Sequence, residues 1–192
     1  MENEQANLIA DEIITLYQQH GGEEYAGERV SQLEHMVQSA QIAAHNEFDD
    51  DVVLAAFLHD IGHICVSAFP SNSMDGFGIV DHEKIGAEYL RKKGFSQKVA
   101  KLVESHVAAK RYLTFKDPEY FEGLSDASKK TLEYQGGRMS AAEADIFERD
   151  PLFELIVAMR KIDEQAKVQD LPLPQWTDYK NLIVQHLSKT NL

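Results

Sequence analysis

This 192-residue chain contains one cysteine and no long apolar run, and each shortage excludes a class of protein. Because Cys65 is the only cysteine, the chain forms neither an internal disulfide framework nor a metal site built from thiolates. No apolar stretch reaches the roughly 18 residues that a membrane-spanning helix needs, so we expect no membrane partner. The first residues are acidic where a signal peptide would be basic, which predicts a cytoplasmic protein.

Basic residues are also scarce: 19 lysines and arginines face 32 aspartates and glutamates, for a net charge of −13. Such an excess of negative charge argues against nucleic acid as a partner. It does not exclude a small anionic substrate, because the local charge of a pocket decides what binds there. The length predicts a single domain over residues 1–192, and we expect a monomer or a weak homodimer.

What the chain does have is helical periodicity along almost its whole length, which predicts an all-α fold. Asp81 and Ser96 are predicted to cap the helices that follow them, and Gly136-Gly137 to end another. The predicted helices cover residues 4–19, 30–45, 50–65, 82–93, 96–113, 125–135, 140–148, 151–168 and 176–189.

The most informative motif is His59-Asp60, which lies inside the apolar run 52–63. Buried imidazole and carboxylate groups need partners, and a metal ion is the usual partner for such a pair. Further ligand candidates are His35, His82, His106 and Asp163. Four histidines and two carboxylates exceed what one ion usually takes, so they predict a dinuclear site in which Asp60 bridges two ions.

Two basic residues are predicted to point inward, each one helical turn from a candidate ligand. Lys110 follows His106 by four residues, and Arg160 precedes Asp163 by three. An inward lysine is rare without an anion to pair with, which indicates an anionic ligand. Two alternatives stay open, because Lys110 could extend to the surface and Arg160 could pair only with Asp163 or Glu164. The polar face of helix 125–135 adds Ser128, Thr131 and Gln135.

Two loops stand out between the predicted helices. Residues 69–78 form a long irregular stretch of the kind that often serves as a lid. The other loop, residues 21–28, carries Tyr25 and Glu28 and precedes the helix that bears His35. His35 lies nearly opposite the apolar stripe of that helix, so the helix must be buried on two sides if His35 is a ligand.

Four segments of the chain carry a resemblance to a known family. They are Gln32–His35, Leu58–His63, His106–Leu113 and Leu124–Gly137. The chain resembles the 2-amino-1-hydroxyethylphosphonate dioxygenases over nearly its whole length, from Glu24 to Lys180. These are dinuclear members of the HD-domain superfamily, related to myo-inositol oxygenase, and the order of the candidate ligands is similar to theirs.

The resemblance implies an HD-domain helical bundle around a mixed-valent Fe(II)/Fe(III) pair, with O2 as co-substrate and a hydroxyphosphonate as substrate. It implies that one iron is held by His35, His59, Asp60 and Asp163. The other would be held by Asp60, His82 and His106.

The resemblance also implies roles in substrate binding and catalysis. The residues that would grip the phosphonate are Lys110, Ser128, Thr131, Gln135 and Arg160. Tyr25 would cover the open iron position until substrate displaces it, Glu28 would receive the substrate ammonium, and His63 would contact the bound substrate. The implied catalytic residues are therefore Asp60, His63 and Tyr25.

The implied reaction cleaves the carbon–phosphorus bond of 1-hydroxy-2-aminoethylphosphonate, giving glycine or an N-methylated glycine together with phosphate. One alternative is the trimethylated substrate, which would give glycine betaine. Glu28 favours the primary amine, since a trimethylammonium group prefers an aromatic cage. A second alternative is an HD phosphohydrolase acting on a phosphate ester, and a third is a ligand-sensing module without catalysis.

Overall fold

The computed structural model describes residues 2–25, 27–65, 74 and 76–190. Within these residues the secondary structure is helical and no strand is present beyond an isolated bridge between Glu24 and Ser31. The all-α prediction is therefore confirmed. The α-helices are α1 (Glu2–His20), α2 (Gln32–His45), α3 (Asp50–Leu58), α4 (His82–Lys92), α5 (Gln97–Lys116), α6 (Pro118–Gly123), α7 (Asp126–Tyr134), α8 (Ala141–Phe147), α9 (Phe153–Gln165) and α10 (Tyr179–Thr190).

The helix α3 forms the centre of the bundle. Every residue from Val52 to Leu58 is buried, as expected for a helix that is apolar on all sides. It packs against α2, α5, α9 and α10, while α1 packs on α10 and α4 packs on α5. None of the helices in the described part of the chain is both long and apolar enough to cross a membrane.

The sequence places His59 and Asp60 inside a helix that continues to residue 65, and this prediction is wrong. The helix α3 ends at Leu58, and Asp60 has φ −104° and ψ 12°, outside the helical range. A short 3₁₀ turn, Ile61–His63, follows. Because the helix ends here, its last carbonyls are free to accept other hydrogen bonds. The Phe57 carbonyl accepts one from the Tyr17 hydroxyl at 2.8 Å, which ties α1 to α3.

Helix α2 is buried on both the faces that the position of His35 requires. Val37 and Ala40 on one face and His35 on the other are fully buried. Gln38, also buried, bonds the backbone of Val168 through both ends of its amide, at 2.8 and 3.0 Å. The chain segment after α9 therefore covers the second face of α2.

The prediction that Ser96 caps a helix is confirmed, because its hydroxyl accepts a hydrogen bond from the Val99 amide at 3.2 Å. Asp81 is not a side-chain cap: its φ is 59° and its carboxylate pairs with Lys84 instead. Helix α6 was not predicted, although Pro118 occupies its first turn and Asp117 caps it. The predicted lid, residues 69–78, lies mostly outside the described residues, and Met74 and residues 76–78 are its described part.

Candidate functional site

One pair of candidate ligands, His35 and His59, meets beneath the end of α9. Their Nε2 atoms lie 3.0 Å apart, and Asp163 Oδ1 is 3.3 Å from that of His35 and 3.8 Å from that of His59. His35 Nδ1 donates to the Ala166 carbonyl and His59 Nδ1 to the Ala56 carbonyl, each at 2.8 Å. The ends of α9 and α3 thus orient both rings, because their last carbonyls lack helical donors.

His82 and His106 form a second pair of the same kind. Their Nε2 atoms also lie 3.0 Å apart. His82 Nδ1 donates to the Ile79 carbonyl at 3.1 Å, and His106 Nδ1 donates to the Val103 carbonyl at 2.8 Å. This pair joins α4 to α5.

Asp60 lies between the two histidine pairs and presents one oxygen to each. Oδ1 is 3.2 Å from His82 Nε2 and 3.4 Å from His106 Nε2. Oδ2 is 3.3 Å from His59 Nε2 and 3.7 Å from His35 Nε2. Burial opposes ionisation of Asp60, but the surrounding histidines, His59 above all, hold its pKa well below the usual range.

The hydrogen bonds fix the tautomers and show why this cluster fits metal ions. A carbonyl only accepts, so each Nδ1 carries a proton, and each ring in its neutral form points an Nε2 lone pair at its partner. Two lone pairs 3.0 Å apart repel each other unless a cation lies between or beside them. Asp60 Oδ2 and Asp163 Oδ1 are buried and have no hydrogen-bond partner. Two groups of nitrogen and carboxylate donors, joined by Asp60, fit two ions and offer no thiolate.

Arg160 joins the cluster of candidate ligands to the neighbouring pocket. Its guanidinium pairs with both Asp163 and Glu164, so the pairing that the sequence left open does occur. It also donates to the Tyr120 hydroxyl at 2.8 Å and to the Ser128 hydroxyl at 3.3 Å. Arg160 holds the pKa of Asp163 well below its usual value despite burial, which keeps that carboxylate ionised.

Lys110 is only 3% exposed, so the alternative of a surface-extended lysine is wrong. Its ammonium donates to the Thr131 hydroxyl at 2.7 Å and to the Gln135 amide oxygen at 3.1 Å. Burial and the nearby charge of Arg160 lower the pKa of Lys110 to about 7. Both hydrogen-bond partners are neutral. The charged form of Lys110 could therefore pair with an anion that enters the pocket.

These groups line one pocket. All the residues predicted to contact substrate line it, and so do three of the candidate ligands, Asp60, His82 and His106. The pocket lining does not include His35, His59 and Asp163. The seven predicted substrate contacts on its wall are Glu28, His63, Lys110, Ser128, Thr131, Gln135 and Arg160.

His63 stacks on His82, with ring centroids 4.0 Å apart. Its Nδ1 accepts from the Ile79 amide at 3.1 Å, which leaves the proton on Nε2. The position of His63 also allows it to share an ion with Asp60 and His82. His106 fits that role better, because its Nε2 faces Asp60 Oδ1, whereas His63 Nε2 carries a proton and its Nδ1 already accepts from the Ile79 amide. Burial and the charge of His82 hold the pKa of His63 well below its usual value.

The loop before α2 closes the pocket on the side of the first histidine pair. The Tyr25 ring stacks on His35 with centroids 4.0 Å apart. Burial, together with the negative charge and a hydrogen bond of Asp60, raises the pKa of the Tyr25 hydroxyl well above its usual value. Glu28 lines the pocket and accepts a hydrogen bond from the Ser125 hydroxyl.

The structure adds pocket residues that the sequence reading did not assign. Lys167 lies 3.1 Å from Glu28, and Phe77 and Met74 contribute apolar wall. Lys167 follows Arg160 by seven residues, and this helical spacing was the signal that could have identified it. Tyr120 accepts a hydrogen bond from Arg160 and belongs to α6. Because α6 was not predicted, nothing in the sequence pattern indicated that Tyr120 reaches the site.

Comparison with known proteins places the chain in a family. A family model for the HD domain matches residues 32–150. A protein of Acanthamoeba polyphaga mimivirus, named as uncharacterized, is 43% identical over 93% of this chain and 81% of its own length.

Two further relatives carry names that describe activities. The [1-hydroxy-2-(trimethylamino)ethyl]phosphonate dioxygenase (glycine-betaine-forming) of Leisingera caerulea is 40% identical over 94% of this chain and 91% of its own. The hydroxymethylphosphonate dioxygenase of Gimesia maris is 36% identical over 87% of this chain and 82% of its own. The resemblance found in the sequence is confirmed: the chain belongs to the HD-domain family and, within it, to the group of these hydroxyphosphonate dioxygenases.

Proposed function

We propose that this protein is an O2-dependent oxygenase that cleaves the carbon–phosphorus bond of 1-hydroxy-2-aminoethylphosphonate. The observation that carries the proposal is the pocket, where Lys110 and Arg160 lie beside a cluster of histidines and aspartates that could hold metal ions. The cationic side chains suit the phosphonate group. The cluster suits the oxidation of C1, the carbon bonded to phosphorus. The kinship with two hydroxyphosphonate dioxygenases supports the same reaction type.

The proposed reaction balances with one O2 and no other oxidant. The C1–H and C1–P bonds of the substrate break, C1 is oxidised from an alcohol to a carboxylic acid, and O2 accepts the four electrons. The two added oxygen atoms complete the carboxylate and the phosphate. The products are glycine, or an N-methylated glycine from an N-methylated substrate, and phosphate.

The cofactor in this proposal is a mixed-valent Fe(II)/Fe(III) pair, which would supply the redox chemistry with O2. The donor set of imidazole and carboxylate without thiolate suits iron at an oxygen-binding site. His35, His59 and Asp163 would hold one ion, His82 and His106 the other, and Asp60 would be shared. The carbonyls that accept from the Nδ1 atoms orient the four rings and would leave each Nε2 free to bind an ion.

The phosphonate would be held where Lys110 and Arg160 converge. Hydroxyl groups of Ser128 and Thr131 line the same wall, and Gln135 completes it. Arg160 presents a planar fork of donors, whereas Lys110 supplies a compact charge. Together they fix the orientation of the substrate and so bring C1 towards the ligand cluster.

Tyr25, His63 and Glu28 would act at the other end of the substrate. The Tyr25 ring covers His35 at rest, so substrate would have to displace it to reach the ions. His63 borders the second ligand pair and would contact the bound hydroxyphosphonate. Glu28 would accept the substrate ammonium, which is our reason for placing the primary amine first.

A second candidate substrate is the trimethylated 1-hydroxy-2-(trimethylammonio)ethylphosphonate, which would give glycine betaine. The 40% identical relative that is named for this activity favours it. A trimethylammonium group cannot donate to Glu28 but would contact the aromatic rings of Tyr25 and Phe77. Relative kcat/KM values for the two compounds distinguish these candidates.

The test of the function is turnover of both hydroxyphosphonates by protein purified without oxygen and loaded with iron. We expect one O2 consumed and one phosphate released per substrate, and no phosphate without O2. Phosphate release that does not need O2 would instead identify an HD phosphohydrolase, which uses its ions to activate water. Elemental analysis of the same sample should give two iron ions per chain.

A further inference from the structure

Lys167 is a pocket residue that the proposed mechanism does not use. It follows the end of α9, and its side chain is 15% exposed. Its ammonium lies 3.1 Å from Glu28 Oε1 and 2.8 Å from Glu164 Oε1. Lys167 therefore connects the loop that carries Glu28 to the helix that carries Arg160.

Glu28 is already satisfied in this structure. Its carboxylate accepts from the Ser125 hydroxyl and pairs with Lys167. An ammonium group that is to bind Glu28 must compete with the ammonium of Lys167. A substrate without an amine leaves the existing pair intact.

We propose that Lys167 is a specificity-determining residue, which occupies Glu28 in place of a substrate ammonium and lets the pocket accept hydroxyphosphonates that lack one. This inference rests on the proposed function and deepens it. Lys167 would thereby set the ratio of affinities for amine-bearing and amine-free substrates, because it competes with the first and substitutes for the missing group of the second.

The contacts of Lys167 permit this exchange at low cost. When a substrate ammonium binds Glu28, Lys167 keeps its shorter pair with Glu164. When no ammonium is present, Lys167 neutralises Glu28, whose negative charge would otherwise face the phosphonate across the same pocket. Arg160 also pairs with Glu164, so the phosphonate-binding group and Lys167 share one anchor.

The test compares Lys167→Met with wild type on two compounds, 2-amino-1-hydroxyethylphosphonate and hydroxymethylphosphonate. Dissociation constants are measured by calorimetry without oxygen, and KM and kcat are measured with it. We expect Kd for the amine-bearing compound to fall and Kd for the amine-free compound to rise, each by roughly fivefold, as for loss of a partly exposed ion pair. Lys161→Met, at an exposed position of the preceding helix α9, is the control and should leave both constants unchanged.

Opposite shifts of the two dissociation constants support the proposal, particularly if Lys167→Arg keeps their wild-type ratio. A rise in both constants would show that Lys167 binds the phosphonate itself and would overturn the proposal. Unchanged constants in a variant that keeps its melting temperature would also overturn it. Wild-type protein that binds and turns over neither compound would instead refute the proposed function, and this inference with it.

Discussion

Asp60 is the residue on which the geometry of both candidate metal positions depends. Its two oxygens face different histidine pairs, which no other carboxylate in the described residues does. Asp163, by contrast, faces only His35 and His59 and is tied on its other side to Arg160. Loss of Asp60 should therefore affect two ions, and loss of Asp163 only one.

The first prediction concerns metal content. Asp60→Ala should lower the metal content from two ions per chain to less than one, because both ion positions lose a negatively charged ligand. Asp145→Ala, at an exposed position, is the control for the handling of the protein and should retain two. Elemental analysis after anaerobic purification measures both, and retention of two ions by Asp60→Ala would show that Asp60 does not bridge.

The second prediction concerns pH and Lys110. Its pKa of about 7, lowered by burial and by Arg160, means that free enzyme loses this charge as pH rises through neutrality. A neutral amine no longer attracts the phosphonate, so kcat/KM should fall with rising pH above about 7. In Lys110→Met that limb of the profile should disappear and KM should be raised about 30-fold or more, the typical cost of truncating a buried charge partner. A profile that is identical in the variant would assign the titration to another group.

At the scale of the helices, the site depends on how closely the 61–63 turn approaches α4. Gly62 lies so near that a Cβ there would be 1.9 Å from the His82 carbonyl oxygen and 2.9 Å from the Gly86 amide. A side chain at residue 62 would push α4 away and move His82 with it. The absence of a side chain at this position thus contributes directly to the second ligand pair.

The third prediction follows from that approach. Gly62→Ala should destabilise the fold by about 2 kcal/mol through overpacking and lower the melting temperature by about 4–8 °C. Gly22→Ala, where a Cβ would meet nothing within 4 Å, should leave it nearly unchanged. Thermal unfolding followed by circular dichroism measures both. Equal melting temperatures for the two variants would mean that α4 can shift without cost.

The helices themselves were largely predictable from sequence, because their apolar periodicity reflects the faces that they bury. The same periodicity correctly predicted that Lys110 and Arg160 point inward. The break at Leu58 was not predictable, since the apolar run continues past it and only the Asp60 geometry ends the helix. Lys167 has the helical spacing of the Arg160 face, but it lies just beyond the end of α9, so only the structure shows that its side chain reaches Glu28.

At the scale of the whole molecule, the candidate ligands join segments that are far apart in the chain. His35 comes from α2, His59 and Asp60 from the end of α3, His82 from α4, His106 from α5 and Asp163 from α9. Without ions, the Nε2 lone pairs and the partnerless carboxylate oxygens meet at the centre of the bundle. The core therefore contains an electrostatic conflict that cations would resolve, and global stability should depend on them.

The fourth prediction is that removal of metal lowers the stability of the entire domain. Free metal at about 1,000 times its Kd stabilises the folded state by about 4 kcal/mol, which corresponds to about 8–16 °C in melting temperature for a chain of this length. Excess chelator should remove that increment from wild type. Asp60→Ala, which can no longer bridge two ions, should melt at a temperature that chelator hardly changes. A wild-type melting temperature that is insensitive to chelator would show that the ligand cluster is stable without cations. Protonation of the facing histidines would then remove the repulsion between their Nε2 lone pairs.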